Sequence, residues 1–520
     1  MATGFLLSGP NMLDRPLTAK GQIKKETKTI DSVQYVTQYT YDQNGNLKTM
    51  TYPSGRVITY NVSNDKVIGV LNNAANLATN IGYKPFGGMS SLTYGNGIAG
   101  TTGYDNQYRV TSITAGTAMN LSYASYDANG NITAITNALD ATKNKSFTYD
   151  ALDRLSTATA SGIWGSLGWT YDGVGNRQTE GSTVYSYAPG TNKLTGAGGT
   201  SFGYDNNGNT TSQAARSYTY NQNQRLIQVV DGAMTAGYTY NGNGQRVKKV
   251  VNGTTTVFHY SLNGQIIAES NSAGNITAEY VYLNSAPLAK IEGSNVYFYH
   301  NDHLGTPQKM TDASGTAVWA ADYKPFGEAT ITVSTITNNL RFPGQYYDQE
   351  TGLHYNYFRD YNPAIDRYIE GDPIGLRGGI NLYLYAGANS IRFTDPRGLL
   401  LGGPGAVIGP MPPSRPSPGT PGSPVCMSCA QGPGLPPSPP SQSGWCYRCD
   451  TARIAQCLAL AYDQEQASAC RTVCELATQL GPFAGRAARA ACVACAAIAA
   501  GMSANCFSEN CHWERCQTCP

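Results

Sequence analysis

The chain has 520 residues, 13% of them charged, with a formal net charge of +2, 36 tyrosines and 58 glycines; that balance favours β-structure with frequent turns over helix. Its basic residues form no long runs, so the electrostatic footprint of nucleic-acid binding is missing and no nucleic-acid partner is expected for the body of the chain. No stretch of about 20 apolar residues occurs, which excludes a transmembrane segment, and residues 1–10 lack both a basic start and a long apolar run, so they do not read as a secretory signal.

Residues 1–298 read as a repeat. An aromatic–aspartate step followed by turn residues recurs about every twenty positions: Tyr41-Asp42, Tyr104-Asp105, Tyr126-Asp127, Tyr149-Asp150, Tyr171-Asp172 and Tyr204-Asp205, with degenerate copies at Tyr220-Asn221, Tyr240-Asn241 and Tyr260-Ser261. That interval suits one two-stranded hairpin per repeat. The approach to each step alternates, as in Tyr35, Thr37, Tyr39 and Tyr41, which puts every second side chain on one strand face. Asn44-Gly45, Asn129-Gly130, Asn207-Gly208, Asn243-Gly244 and Asn263-Gly264 supply the positive φ that reverses the chain. The aspartate accepts backbone hydrogen bonds in the turn, so the Tyr-Asp step reads as a turn device without chemistry. About twenty such strands, roughly 4.8 Å apart, make a sheet on the order of 100 Å wide. It must curl, into a spiral or closed tube on the order of 30 Å across, too wide for side chains to fill. The expected fold is mainly β, with hairpins in a curled, hollow shell.

From residue 299 the degenerate repeats give way to a dense string: His300-Asn301-Asp302-His303-Leu304-Gly305-Thr306-Pro307, then YKPFGE at 323–328, LRFPGQ at 340–345 and ETGLHYN at 350–356. It continues through Arg367-Tyr368, Asp372-Pro373-Ile374-Gly375-Leu376, Gly378-Gly379, Asn381-Leu382-Tyr383 and Asp395-Pro396-Arg397-Gly398-Leu399. This string resembles the core of the Rhs or YD-repeat family, tightly over 299–399 and loosely over the repeats from about residue 30. The resemblance implies a β-cage that encloses a variable C-terminal domain, often a toxin, and cuts itself just before that domain. It implies an aspartic-protease-like pair at Asp372 and Asp395, a supporting arginine at Arg359, and a scissile bond between Leu399 and Leu400, within a junction spanning 299–399. The chemistry suits those residue types: two carboxylates held close cannot both ionise, so one stays protonated to polarise a carbonyl while its partner activates water. Four residues depart from the family pattern, Asp360, Asn362, Asp366 and Ser390, and an extra carboxylate at Asp360 is expected to compete for Arg359. His300, Asp302 and His303 have no ligand partner at metal spacing and read as hydrogen-bonded turn residues.

Residues 400–444 are rich in proline, glycine and serine and read as an extended linker. All 13 cysteines lie beyond Val425. Over 445–520 the composition turns to alanine and cysteine, with helical propensity at 452–480 and 483–502 around Gly481-Pro482, so a small α-helical hairpin is expected. The cysteines mirror one another about that turn: Cys446 and Cys449 onto Cys519 and Cys516, Cys457 onto Cys506, Cys470 onto Cys495, and Cys474 onto Cys492. Disulfides at those pairs would staple a module whose core is small. Zinc is the rival, held by Cys446, Cys449, Cys516 and Cys519, or by Cys426 and Cys429 with Cys446 and Cys449. The count is odd, and Cys511 beside His512 is the candidate free thiol.

Two functions fit. In one, a self-cleaving shell encloses its own C-terminal domain as cargo and releases it as an effector in competition between cells, with a secretion machinery and an immunity protein as partners. In the other, the chain is a non-cleaving structural or adhesive protein of the cell surface. Either places it outside the cell or on its surface by a route other than a signal peptide. The shell calls for no cofactor; zinc belongs to the tail alone.

Overall fold

The computed structural model describes residues 16–399 and the backbone of two short segments at 445–449 and 511–515. The chain divides into two compact units, Met1–Arg415 and Pro416–Pro520.

In the first unit the period-2 pattern becomes strand after strand. Along Val33–Tyr41, Tyr35, Thr37 and Tyr39 are buried while Gln34, Gln38 and Thr40 face solvent. Thirty-one strands, from Lys25–Ile30 to Ala329–Ser334, form a single sheet. Each strand pairs antiparallel with the one before it and the one after it, so the whole sheet is one meander. It holds more strands than the tyrosine spacing counts, because the degenerate stretches between the clear copies are also strands. It runs on to Ser334, so residue 299 marks a change in sequence style inside a continuing sheet.

Two kinds of turn join the strands of the meander. Some are two-residue turns with both residues at positive φ, Asp31-Ser32 (48° and 68°) on one edge and Asn284-Ser285 (49° and 71°) on the other. Others are the Tyr-Asp turns, which fall on the same edge as Asn284-Ser285. There the Asp42 carbonyl accepts from Gly45 N–H, Asp42 Oδ1 accepts from Asn46 N–H at 2.8 Å, and Asp42 Oδ2 accepts from Asn46 Nδ2 at 2.9 Å. In the Asn-Gly steps of these turns only the glycine takes the left-handed conformation, Gly45 at 97° and Gly130 at 81°. The preceding asparagine instead reaches sideways, as Asn44 Nδ2 does to Asp65 Oδ1.

The tyrosine has a role of its own. Tyr126 donates its hydroxyl to the Val110 carbonyl at 2.5 Å, Tyr149 to Ile132 at 2.6 Å and Tyr171 to Leu155 at 2.9 Å. Each target is the first residue of the strand after the preceding repeat's turn, or next to it, so the phenols clasp successive hairpins together at their Tyr-Asp edge.

The meander winds far enough to meet itself. Tyr52 donates to the Tyr280 carbonyl, Arg56 pairs with Glu279 at 2.5 Å, Asn96 bonds Thr311, and Lys143 pairs with Asp322 at 2.8 Å. The largest apolar cluster draws on both ends, joining Tyr52, Ile58, Val70 and Leu77 to Val281, Ala289 and Ile291. The ends overlap without joining: among the described residues the first and last strands do not pair with each other, so the sheet is an open coil and not a closed tube.

After Ser334 the chain folds back onto the sheet as a small four-stranded layer, Tyr346–Tyr347, His354–Asn356, Arg359–Asn362 and Arg367–Tyr368. Its anchor is a buried bidentate pair, Arg246 Nη1 and Nη2 on Asp348 at 2.5 and 2.9 Å, with Arg246 stacked on the Tyr355 ring. In the second unit Trp445–Cys449 and Cys511–Arg515 pair antiparallel, with Cys449 opposite Cys511 and Cys446 opposite Glu514. That register differs from the mirrored reading, which sets Cys449 opposite Cys516. The linker, the two helical segments and Cys426, Cys429, Cys457, Cys470, Cys474, Cys492, Cys495, Cys506, Cys516 and Cys519 lie outside the described residues, as does Leu400.

Candidate active site

Three sequence-distant segments converge on one guanidinium. Strand Arg359–Asn362 presents Arg359, whose Nη2 stands 3.0 Å from Asp372 Oδ2 and 3.1 Å from Asp395 Oδ2. The same side chain donates from Nε to the Gly398 carbonyl at 2.7 Å and from Nη1 to the Leu382 carbonyl at 3.0 Å. Its charge lies over the Tyr368 ring, 3.6 Å from the centroid. All three charged groups are buried, with side-chain exposures of 2% for Arg359, 4% for Asp372 and 5% for Asp395. The structure therefore brings Asp372, Asp395 and Arg359 together, which sequence separation alone could not decide.

The segment carrying the expected scissile bond is tied down along its length. Asn356 Nδ2 donates to the Asp395 carbonyl at 2.8 Å, Phe358 N–H donates to the Arg397 carbonyl at 3.1 Å, and Arg359 holds the Gly398 carbonyl. Gly344 of the 340–345 string lies so close under Pro396 that a side chain there would overlap the proline's backbone. Leu399 N–H donates to Asp395 Oδ1 at 2.9 Å, so this aspartate grips the backbone of the residue before the expected cut. A cavity of about 250 Å³ adjoins the segment, with Thr394, Pro396, Tyr355 and Tyr357 on its wall.

The two carboxylates have different surroundings. Asp372 Oδ1 accepts from Ile374 N–H at 2.9 Å; burial raises the Asp372 pKa, Arg359 opposes that rise and Asp395 adds to it. Asp395 Oδ2 accepts from the Tyr368 hydroxyl at 2.9 Å as well as from Arg359. Burial, with Asp395 alongside, pushes the Tyr368 phenol well above its ordinary value, so it stays a donor. Tyr368 and Asn356 were not among the residues that the sequence singled out. Both lie inside the recognised string, but only the fold sets Asn356 Nδ2 2.7 Å from the Tyr368 hydroxyl.

Asp360 does not compete for Arg359. Neighbours on a strand face opposite ways, and Asp360 lies with Glu370, whose Oε2 accepts from Asp360 N–H at 2.8 Å. Burial raises the Asp360 pKa to about 7 against the pull of Arg246. Asp366, at φ 57°, pairs with Arg177; Asn362 reaches Gln213, and Ser390 bonds the Pro325 carbonyl. Asp366, Asn362 and Ser390 knit the junction to the sheet, and all four departures leave the arginine–aspartate cluster intact. His300 bonds Thr311 and packs on Tyr94, His303 bonds the Ile391 carbonyl, and Asp302 accepts from Leu304 and Thr306 N–H. Among the described residues no three His, Cys, Asp or Glu side chains are placed to hold a metal, and no helix is long and apolar enough to cross a membrane.

A family model described as Teneurin YD-shell matches residues 101–377, and one described as RHS Repeat matches 19–57. Among curated proteins the chain is similar to Double-stranded DNA deaminase toxin A of Burkholderia cenocepacia (strain H111), 42% identical over 132 residues, which is 24% of this chain and 9% of that protein. It is 39% identical over 116 residues to Toxin protein Tse5 of Pseudomonas aeruginosa, covering 22% of this chain and 9% of that one. It is also 30% identical over 249 residues to tRNA3(Ser)-specific nuclease WapA of Bacillus spizizenii, covering 44% and 11%. The chain thus spans about a tenth of the length of these relatives. Among solved structures, TcdB2-TccC3 superposes with a TM-score of 0.63 at 19% identity over 74% of this chain and 24% of that one, a likeness of fold.

Proposed function

Since the chain belongs to the Teneurin YD-shell family, we propose that its coil is an Rhs-type shell that cuts its own backbone between Leu399 and Leu400 and so releases the C-terminal module as an effector. The observation that supports cutting is the cluster itself: two buried aspartates share one arginine, and one of them binds the N–H of Leu399. The named relatives are toxins and nucleases, which supports a toxic role for the module; its target is a separate question, because residues 445–520 carry no catalytic constellation of their own in sequence. A producing cell that makes such an effector needs an immunity protein against it and a route of export.

Intact mass on freshly purified protein tests the reading. Wild type is expected to give two fragments divided between Leu399 and Leu400, and Asp372→Ala and Asp395→Ala a single full-length chain with the same β-rich circular dichroism. A wild type that stays whole would overturn self-cleavage and favour the non-cleaving surface protein.

A further inference from the structure

The turn at Gly378 poses a question that backbone conformation does not answer. Gly378 closes the short 3-10 helix Gly375–Arg377 with φ −81° and ψ −11°, an ordinary right-handed conformation that any residue adopts. Its lack of a side chain therefore has to be explained by space. A methyl group built there would overlap Asp372 Oδ2, stand 2.8 Å from Asp372 Cγ, and lie 3.0 Å from the carbonyl oxygen of Leu399. One small gap, kept open by a missing Cβ, thus separates the Asp372 carboxyl from the carbonyl that the proposed reaction attacks.

We infer that Gly378 holds open the path along which the Leu399 carbonyl oxygen reaches Asp372, making Asp372 the acid that polarises the carbonyl and leaving Asp395 as the base. The inference rests on the self-cleavage reading and divides the labour within it. Asp395 is already fastened to the backbone on the substrate side through Leu399 N–H, and to Tyr368 and Arg359 on the other. Asp372 faces the gap. As water adds to the Leu399 carbon, its oxygen forms the new C–O bond and its proton passes to Asp395. The carbonyl oxygen, gaining charge, takes the proton of Asp372 across the gap as the carbon becomes tetrahedral. The bond to Leu400 nitrogen then breaks, that nitrogen leaves with the proton held by Asp395, and the new Leu399 carboxyl group returns the Asp372 proton. Water is the sole co-reactant.

The test refolds full-length chain, made unfolded by cell-free synthesis, into buffers spanning acid to neutral pH, and follows the cut by mass. Gly378→Ala is expected to slow the cut by roughly a hundredfold, the cost of displacing a reacting group by about an ångström, and the remaining rate is expected to lose its alkaline limb, since it no longer draws on the Asp372 proton. Gly371→Ala, where an added methyl meets only the Asn207 carbonyl at 3.9 Å, is expected to cut as wild type does. A folded Gly378→Ala chain that cuts at the wild-type rate, or that keeps the alkaline limb, overturns the inference while leaving self-cleavage standing; a wild type that never cuts removes both. Should Gly378→Ala fail to fold, a crystal structure of uncut Asp395→Asn decides the matter. The Leu399 carbonyl, or a water bonded to it, is expected in the gap within hydrogen-bond reach of Asp372, and a carbonyl turned away from Asp372 overturns the assignment.

Discussion

Arg359 makes four contacts in four directions, to the Gly398 and Leu382 carbonyls and to both aspartates. A planar guanidinium can serve them all at once, whereas a lysine ammonium is a single point of charge. Arg359→Lys is therefore expected to keep the positive charge and still lose at least tenfold in cleavage, read by mass as above. A few ångströms of backbone away, Asp360 and Glu370 set up a different dependence. Burial holds protons on this pair in the folded chain, with Arg246 and Arg225 opposing and Asp348 reinforcing the rise, whereas unfolded aspartate titrates near its ordinary value of about 3.9. The folded state then binds more protons than the unfolded one between those values, so stability is full at low pH and falls as pH climbs from about 4 through about 7. Urea unfolding at a series of pH values is expected to show that decline, and Asp360→Asn to flatten it. In sequence Asp360 was visible only as a departure beside Arg359. Which way it points depends on the alternation of a strand whose register sets Asp360 opposite Tyr355 and Arg359 opposite Asn356, and that register is a tertiary fact.

The repeating hairpin was legible because its signals are local. Aspartate, then Asn-Gly, then a strand of alternating burial follow from turn and strand chemistry alone, and the Tyr-Asp edge forms as read. What the period hid was the tyrosine's partner: the Val110 carbonyl that Tyr126 bonds belongs to the preceding hairpin, and no rule of local spacing names it. Tyr126→Phe is expected to cost about 1 kcal/mol, the usual net worth of a hydrogen bond, and Gly130→Ala about 1–2 kcal/mol for forcing a side chain to φ 81°. Both are measurable by urea denaturation. The Gly130 site is otherwise roomy, an added methyl meeting only the Arg392 guanidinium at 3.6 Å and beyond, so its cost isolates the backbone term. The strand count was under-read for a related reason: between the clear Tyr-Asp steps, stretches such as Val57–Ser63 and Lys66–Asn72 carry no period marker and still join the sheet.

At the scale of the molecule, the overlap of the coil's two ends is held by few charged contacts, and Glu279 is central to it. It is buried and accepts from both Ser54 and Arg56, more than 200 positions earlier in sequence. Glu279→Ala leaves Arg56 without its carboxylate and is expected to cost about 3–5 kcal/mol, the usual penalty for breaking a buried pair. The loss should be local: hydrogen exchange is expected to quicken over 25–63 and to remain slow over 216–260. For the cysteine-rich module, the tail fragment released by wild type should show either a mass increase of two hydrogens per disulfide on reduction or stoichiometric zinc in the metal assay. That divides the two readings of Cys446, Cys449, Cys516 and Cys519. The sequence could point to a curled sheet, since a very wide sheet cannot stay flat, but not to an open one, because whether two ends pair is decided by twist accumulated over every strand between them. The meander has one more consequence, in time. Every strand pairs with the one made just before it, so the sheet can be laid down in the order in which a ribosome issues it, each step closing only a short loop. Arg359, Asp372 and Asp395 are the exception: they are issued after the whole sheet and meet only once the closing layer has docked on it. A nascent chain halted before Asp395 already holds all thirty-one strands of the sheet and only part of the cluster, so the proposed cut has to wait until the sheet is in place.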